Sequence, residues 1–507
     1  MQKLTSFELT LATVALAIGS FMNVLDSTIV NVSLSHIAGD FAVAPNNGTW
    51  VITSYAVSEA IFLPLIGWLT KRFGVVRQYT WATLLFTVAS MMCGISPTFN
   101  FLIFSRVLQG VVGASMIPLS QSLMLQLYPK EKKATAMGIW AMTVIIAPIV
   151  GPILGGWVTD SFSWRWTFYL NLPFGIISTL VVYLLYKKIG HKDTRQKVPV
   201  DIWGLVFLTI GIGALQLMLD KGNDLNWFES STIIILALTA FIFLVILGIW
   251  EWYHEDPVVN VKLFLNRNFT IGSVSLTIGQ TIFFSSIVVI PLWLQNHMGY
   301  TAYLSGKTTA TLGIPILIFA PILGKIMPIV DSRKLIVTGF FAFAAVAIFT
   351  SNFPPDVSMN YISLTRFLTG FGLALFFTPL NFLTLSNIPD DKLPSASGLY
   401  NFMRNMGSSF GTSLSVNYWT NKSSFFHSNI VSAVNPGNPN YSQIMDSIPG
   451  PIDTKLTILN NVITTQSFTM ALNQLTYISG VCILFLIPFI FLARKTQNIG
   501  NKNIAAH

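Results

Sequence analysis

The stretch Leu25-Asp26-Ser27-Thr28-Ile29-Val30-Asn31-Val32 sets a carboxylate and an amide inside an apolar run, from about residue 9 to residue 34, that is long enough to cross a bilayer. An ionisable side chain at that depth costs at least ~2.5–3.5 kcal/mol on insertion scales, which makes it a functional candidate by default. The chemistry open to it is proton carriage. A free Asp titrates near ~3.9, whereas apolar burial and a nearby cation push that value in opposite directions. Arg106, in a later apolar run, is expected to face Asp26 and supply the cation; the competing reading makes it a static structural partner. Glu59, four residues after Tyr55, is the second candidate carrier, unless it is held by a fixed cation. A cap at the outer headgroups is the plainer reading of Asp26, but apolar residues continue for two turns beyond it.

Other polar and aromatic side chains within apolar runs are candidates for lining a substrate cavity. They are Asn23, Asn31, Gln109, Trp140, Gln280, Phe284, Asn381, Asn401 and Arg404. Aromatic and Met contacts are non-directional and tolerate varied shapes, although an aromatic at any one of these positions more often simply packs. Arg366 repeats Arg106, and the sequence leaves open whether Arg366 or Arg404 faces a cavity. The six His are scattered over helix ends and loops with no metal-ligand spacing, and no Gly-x4-Gly-Lys-[Ser/Thr] pattern occurs. No metal or cofactor is expected, and a membrane enzyme or an ATP-driven pump in one chain is disfavoured. Cys93 and Cys482 lie in apolar runs, so no disulfide framework is indicated.

These residues need helices to hold them. With 52% hydrophobic and 10% charged residues, the chain falls well below the ~25% charge of a soluble domain. Fourteen spanning helices are expected, centred near residues 22, 60, 87, 114, 146, 176, 210, 241, 280, 315, 342, 372, 406 and 481. The +9 net charge invites a nucleic-acid reading, but most of the 29 Lys and Arg residues fall in alternate connections. Arg165, Lys221, Lys307, Lys422 and Lys455 sit on the other side. This asymmetry makes both termini cytoplasmic. No signal-peptide cleavage pattern precedes the first apolar run, which is therefore expected to be retained.

The chain also repeats itself. Arg106 and Arg366, Gly110 and Gly370, Gly138 and Gly398, and Gly151 and Gly411 are each 260 positions apart. The expected architecture is an all-α polytopic membrane protein with two six-helix bundles related by a pseudo-twofold repeat. The first bundle is placed at 1–190, two inserted helices with their linkers at 191–265, and the second bundle at 266–507. A polar, Asn-, Ser- and Pro-rich stretch over 418–467 reads as a long outer loop, either a docking or covering element or a solvated linker.

Two motifs serve movement. Gly67-Trp68-Leu69-Thr70-Lys71-Arg72-Phe73-Gly74-Val75-Val76-Arg77 is an inner turn whose glycines permit close approach and whose cations, Lys71, Arg72 and Arg77, can meet a helix C-terminus. Pro148, Gly151, Pro152, Gly155 and Gly156 join small-residue spacing to two bends, which a purely structural kink explains equally well.

Together these segments resemble the signature motifs of the major facilitator superfamily: the loop motif at Gly67–Arg77, the Arg motif at Arg106–Gly113 and the antiporter motif at Gly151–Gly156. The Asp26 segment, Trp164-Arg165-Trp166-x-Phe168-x2-Asn171-x-Pro173 and the helix count resemble the 14-span drug:H+ antiporters, in particular the EmrB-type multidrug exporters of Gram-negative bacteria. Two departures stand out. Thr70 occupies the place where the loop motif often has Asp, and Ser35 that of a proline common at the end of the Asp26 motif. The resemblance implies a proton-coupled exporter of lipophilic or amphipathic compounds in the inner membrane, working with a periplasmic membrane-fusion protein and an outer-membrane channel. Proton-coupled transport of an amino acid or other metabolite on the same fold is the alternative.

Overall fold

The computed structural model describes residues 5–129, 132–189, 199–327, 329–434 and 439–495, and among them the secondary structure is helical. Among the described residues twelve helices are long and apolar enough to cross a membrane: α1 (Phe7–Leu34, within a helix of Ser6–Asp40), α2 (Trp50–Phe73), α4 (Phe99–Leu127), α5 (Lys133–Ser161), α6 (Trp166–Lys188), α7 (Ile202–Lys221), α8 (Ser231–Tyr253), α9 (Arg267–Asn296), α10 (Tyr303–Ile326), α11 (Ser332–Asn352), α12 (Met359–Leu385) and α14 (Ile452–Phe491). Two further long helices, α3 (Val75–Gly94) and α13 (Leu393–Ala433), are too polar to meet that composition. Each of the expected centres falls inside one of these helices.

Local chemistry sets the boundaries. Thr5 and Glu8 form a reciprocal capping box at the start of α1, and Thr98, Asp201, Asn266, Asp331 and Ser358 accept backbone N–H bonds at the starts of α4, α7, α9, α11 and α12. Between α2 and α3 the reversal turns on Gly74, whose φ of 87° suits a residue without a Cβ.

The repeat is visible in how the helices meet. Within the first half α1 packs on α5 and α6, α2 on α4, and α3 on α4 and α6; in the second half α9 packs on α13 and α14, α10 on α12, and α11 on α12 and α14. The paired glycines lie at equivalent crossings. A Cβ on Gly110 would meet the Tyr55 carbonyl of α2 at 2.5 Å, and one on Gly370 the Leu312 carbonyl of α10 at 2.2 Å. The two halves join through α2 with α13 and α5 with α10. α7 rests against both α2 and α13, and α8 packs on α7. The linker expected before this pair from residue 191 lies largely outside the described residues.

One expectation is corrected. The stretch 418–467 is mostly helical: α13 continues to Ala433, a short helix covers Pro439–Ser447, and α14 begins at Ile452. A helix of 41 residues is about 60 Å long, twice the hydrocarbon thickness, so much of α13 must extend past the apolar layer. Its polar side chains satisfy themselves locally. Thr420 and Ser424 bond back to carbonyls one turn earlier, and Asn421 to the Asn417 side chain. The two helices then fasten to each other, with Trp419 Nε1 donating to the Phe468 carbonyl at 3.0 Å and His427 paired with Asn460 at 3.2 Å. The polarity that suggested a loop belongs to a helical pair that does not need lipid to bury its contacts.

Candidate proton and polar site

Asp26 lies at mid-length of α1 with its side chain sealed from solvent. Arg106 Nη1 of α4 donates to its Oδ2 at 2.6 Å, while Gln109 Nε2 and Asn171 Nδ2 donate to Oδ1 at 3.0 and 2.7 Å. The spacing of Arg106 and Gln109, three residues apart on one helix, brings both donors to one carboxylate. Arg106 is itself held by the Val51 carbonyl at 3.0 Å and by Gln109 Oε1 at 2.7 Å. Both Asp26 oxygens and the Arg106 Nε and Nη1 have partners, as a buried ion pair requires.

A second carboxylate lies within reach. The Arg106 guanidinium stacks over the Tyr55 ring at 4.3 Å, Tyr55 receives a bond from Asn23 Nδ2 at 3.0 Å, and it donates to Glu59 Oε1 at 3.4 Å. Glu59 Oε2 in turn accepts from Asn405 Nδ2 at 3.1 Å, on α13 of the other half. Arg404, buried beside Asn405, interacts electrostatically with Glu59. Hydrogen bonds at either end and the stacking of Arg106 on the Tyr55 ring between them therefore link Asp26 to Glu59 at the seam between the halves.

The remaining candidates fall into separate groups. Asn381 and Asn401 both bond to Gln121, which gives its Nε2 to Asn381 Oδ1 at 3.2 Å and accepts from Asn401 Nδ2 at 3.0 Å. Gln121 and Asn381 are 260 apart, so equivalent positions of the two halves touch across the pseudo-axis. Trp140 is fully buried and donates to Ser120 at 3.1 Å, which makes it packing within the first half. Gln280 bonds to Ser408 at 3.3 Å, and half-buried Phe284 packs where α9 crosses Gly411. Asn31 is exposed on α1 and stands outside the buried network. A cavity of about 580 Å³ between α9, α13 and α14, lined by Thr281, Ser285, Asn417, Tyr418, Lys422 and Leu475 among others, includes none of the expected lining residues.

The motif glycines act through contact. A Cβ on Gly151 would meet Thr28 Oγ1 at 2.2 Å, and one on Gly155 the Ile29 carbonyl at 2.9 Å, so α5 is pressed onto α1 just beyond Asp26. Gly156 meets only Val32, at ordinary distance, and Pro148 and Pro152 lie inside α5 half-buried. A Cβ on Gly67 would meet the Ser395 side chain of α13 at 2.6 Å. Lys71, Arg72 and Arg77 are exposed, and Arg72 lies over the Trp68 ring at 5.4 Å. Thr70, in place of an acid, is buried and bonds back to the Ile66 and Gly67 carbonyls.

Sequence reasoning used Asn171 only as part of a pattern and Tyr55 only as a spacing mark, and it missed Gln121. The signal for Asn171 was its amide inside the sixth apolar run; Gln121 could have been reached from Asn381 through the 260-residue repeat.

Buried paired charges, glycine-mediated crossings between two repeated halves and a polar path at their seam define a membrane transporter of the repeat type. The family model of the Major Facilitator Superfamily matches residues 16–412, and the chain belongs to that family. It is similar to the Multidrug export protein EmrB of Escherichia coli strain K12, with 39% identity covering 99% of this chain and 98% of the relative. It is also similar to the Fatty acid resistance protein FarB of Neisseria gonorrhoeae, with 36% identity and 96% coverage of each. Among solved structures, the proton:xylose symporter XylE bound to 6-bromo-6-deoxy-D-glucose shares the fold, with a TM-score of 0.60, 14% identity and 98% coverage of each chain.

Proposed function

We propose that the chain is a proton-coupled exporter of lipophilic or amphipathic toxic compounds that works by alternating access. The observation that carries this reading is the sealed Asp26–Arg106 pair and its path to Glu59. The similarity to multidrug export proteins favours drugs over metabolites as cargo. In this reading the chain has fourteen spans, with α3 and α13 crossing despite their polarity. Both termini are cytoplasmic, the membrane is the inner one, and a periplasmic membrane-fusion protein and an outer-membrane channel complete the export route. The α13–α14 helical pair is the proposed contact for them.

The cycle follows from the pair. A proton arriving at Asp26 neutralises the carboxylate and frees Arg106, which stays stacked on Tyr55 and shifts toward Glu59. That change bears on the seam, because Glu59 holds Asn405 of the other half. Tight crossings at Gly67 on Ser395 and Gly138 on Ala320 then open or close as the halves tilt. Release of the proton to the inside restores the pair and is driven by ~2.3 kcal/mol per 100 mV of potential. Asn23, Gln109, Asn381, Asn401 and Arg404 are proposed to meet substrate between the halves in the open states.

Uptake of a lipophilic fluorescent dye into inverted vesicles under an imposed pH gradient tests this. The native chain is expected to accumulate dye and Asp26→Asn to fall to the level of empty vesicles. Gradient-driven accumulation by the variant would overturn the role of Asp26.

A further inference from the structure

The second half contains the counterpart of the Asp26 site, and it has lost its acid. Adding 260 to Asp26, Arg106 and Gln109 gives Ser286, Arg366 and Thr369. All three line one small cavity of about 20 Å³, closed further by Ser285, Thr476 and Ser479. Arg366 is 4% exposed, its Nε has no hydrogen-bond partner, and no carboxylate of the described residues pairs with it. Its counterpart Arg106 has three partners, one of them Asp26.

A guanidinium sealed inside a membrane protein without a counter-charge carries a desolvation cost that nothing among the described residues offsets. The cavity has room for one water-sized species, since about 10–15 Å³ suffices for a water. Its unoccupied donors suit an anion. Ser285 and Ser479 make no hydrogen bond among the described residues, so their hydroxyl protons are free, while Ser286, Thr369 and Thr476 donate back to their own helices. Serine rather than aspartate at 286 leaves space where the first half holds a carboxylate.

We propose that this cavity binds a chloride ion, which stands in the second half for the carboxylate that Asp26 supplies in the first. Arg366 gives the charge, and Ser285 and Ser479 give hydroxyl donors. The halide neutralises Arg366 in the resting protein and is exchangeable through the neighbouring larger cavity, with which the small one shares Ser285, Leu475 and Ser479. This assignment is independent of what the protein exports.

Equilibrium binding of radiolabelled chloride to the purified full chain tests it, with thermal unfolding followed in sodium chloride, sodium acetate and sodium gluconate at constant ionic strength. One saturable chloride per chain is expected, together with a midpoint that rises with chloride and not with gluconate. Arg366→Met is expected to lose the binding. Should that variant fail to fold, Ser286→Asp decides: it places a carboxylate beside Arg366 and is expected to be folded, chloride-independent and free of labelled ion. Absence of saturable chloride binding by the native chain, meaning that water alone fills the cavity, overturns the proposal. So does a midpoint that responds to acetate but not chloride, or a Ser286→Asp variant that binds chloride like the native chain.

Discussion

Arg106 and Arg366 occupy the same place in two copies of one helical plan, yet their surroundings differ in kind. Around Arg106 the chain supplies Asp26, Gln109, Tyr55 and, beyond Tyr55, Glu59. Around Arg366 the equivalent positions carry Ser286, Thr369, Pro315 and Phe319. The repeat thus preserves the cation and the glycine crossings that seat it, while acids and relay occur in one half only. Helix packing sets where a buried charge can sit; a few side chains decide whether that charge can trade a proton. In the proposed function, coupling belongs to the first half and the second is the body against which it moves.

Breaking the first half should have the largest effect. Arg106→Met leaves the Asp26 carboxylate sealed without its cation, which costs about 3–5 kcal/mol. Gradient-driven dye uptake is expected to vanish and the thermal midpoint of the purified chain to fall. Exchanging the halves sharpens the comparison: Asp26→Ser combined with Ser286→Asp restores one acid beside one arginine, but on the side with no Tyr or Glu leading to the seam. Transport is expected to stay absent while the protein folds; recovery would show that the acid alone, and not the relay, defines the coupling half.

Smaller effects come from the supports. Asn171→Ala removes one hydrogen bond to the Asp26 carboxylate, worth about 1.5–3 kcal/mol for a charged acceptor, and is expected to lower transport roughly 10- to 100-fold without unfolding the chain. Gly67→Val puts methyls where Ser395 stands, and is expected to open the α2–α13 seam so that a cysteine at position 395 reacts faster with a water-soluble thiol reagent, in a background lacking Cys93 and Cys482.

The smallest effect belongs to Asp40, beyond the end of the α1 span. Arg165 donates to it at 2.6 Å and Trp164 at 3.0 Å, and these bonds hold its carboxyl below the usual aspartate range. A carboxyl whose folded value is lowered contributes stability that is present above the ordinary ~3.9 and is lost as pH falls through the folded value. The pair is largely exposed, so Asp40→Asn should cost under about 1 kcal/mol at pH 7, read as a small drop in thermal midpoint, and nothing once the pH is below the lowered folded value.

Much of the fold was legible because bilayer physics leaves few options: long apolar runs must be helices, and the equal spacing of Arg106 and Arg366, or Gly138 and Gly398, exposes the repeat. The Asp26–Arg106 pair was legible for the same reason, since two buried charges seek each other. Other features were hidden by their nature. Asn171 and Gln121 are neutral amides whose value depends on what lies across from them, which spacing along one helix cannot reveal. Trp140, sealed against Ser120, and Asn31, exposed on α1, differ in a way the sequence hides, because residue type says nothing of which helix face is turned inward. The polar composition of 418–467 concealed helices that bury their contacts against each other rather than against lipid.

The central claim is that Asp26 exchanges its proton against cargo. The direct measurement is proton release when a transported dye is added to the purified chain in weakly buffered solution, repeated from neutral to acid pH so that the proton-bearing form is sampled, and followed with a soluble pH indicator. The native protein is predicted to release protons on saturable dye binding, and Asp26→Asn to bind the dye while releasing none. Equal proton release from the variant would contradict the account.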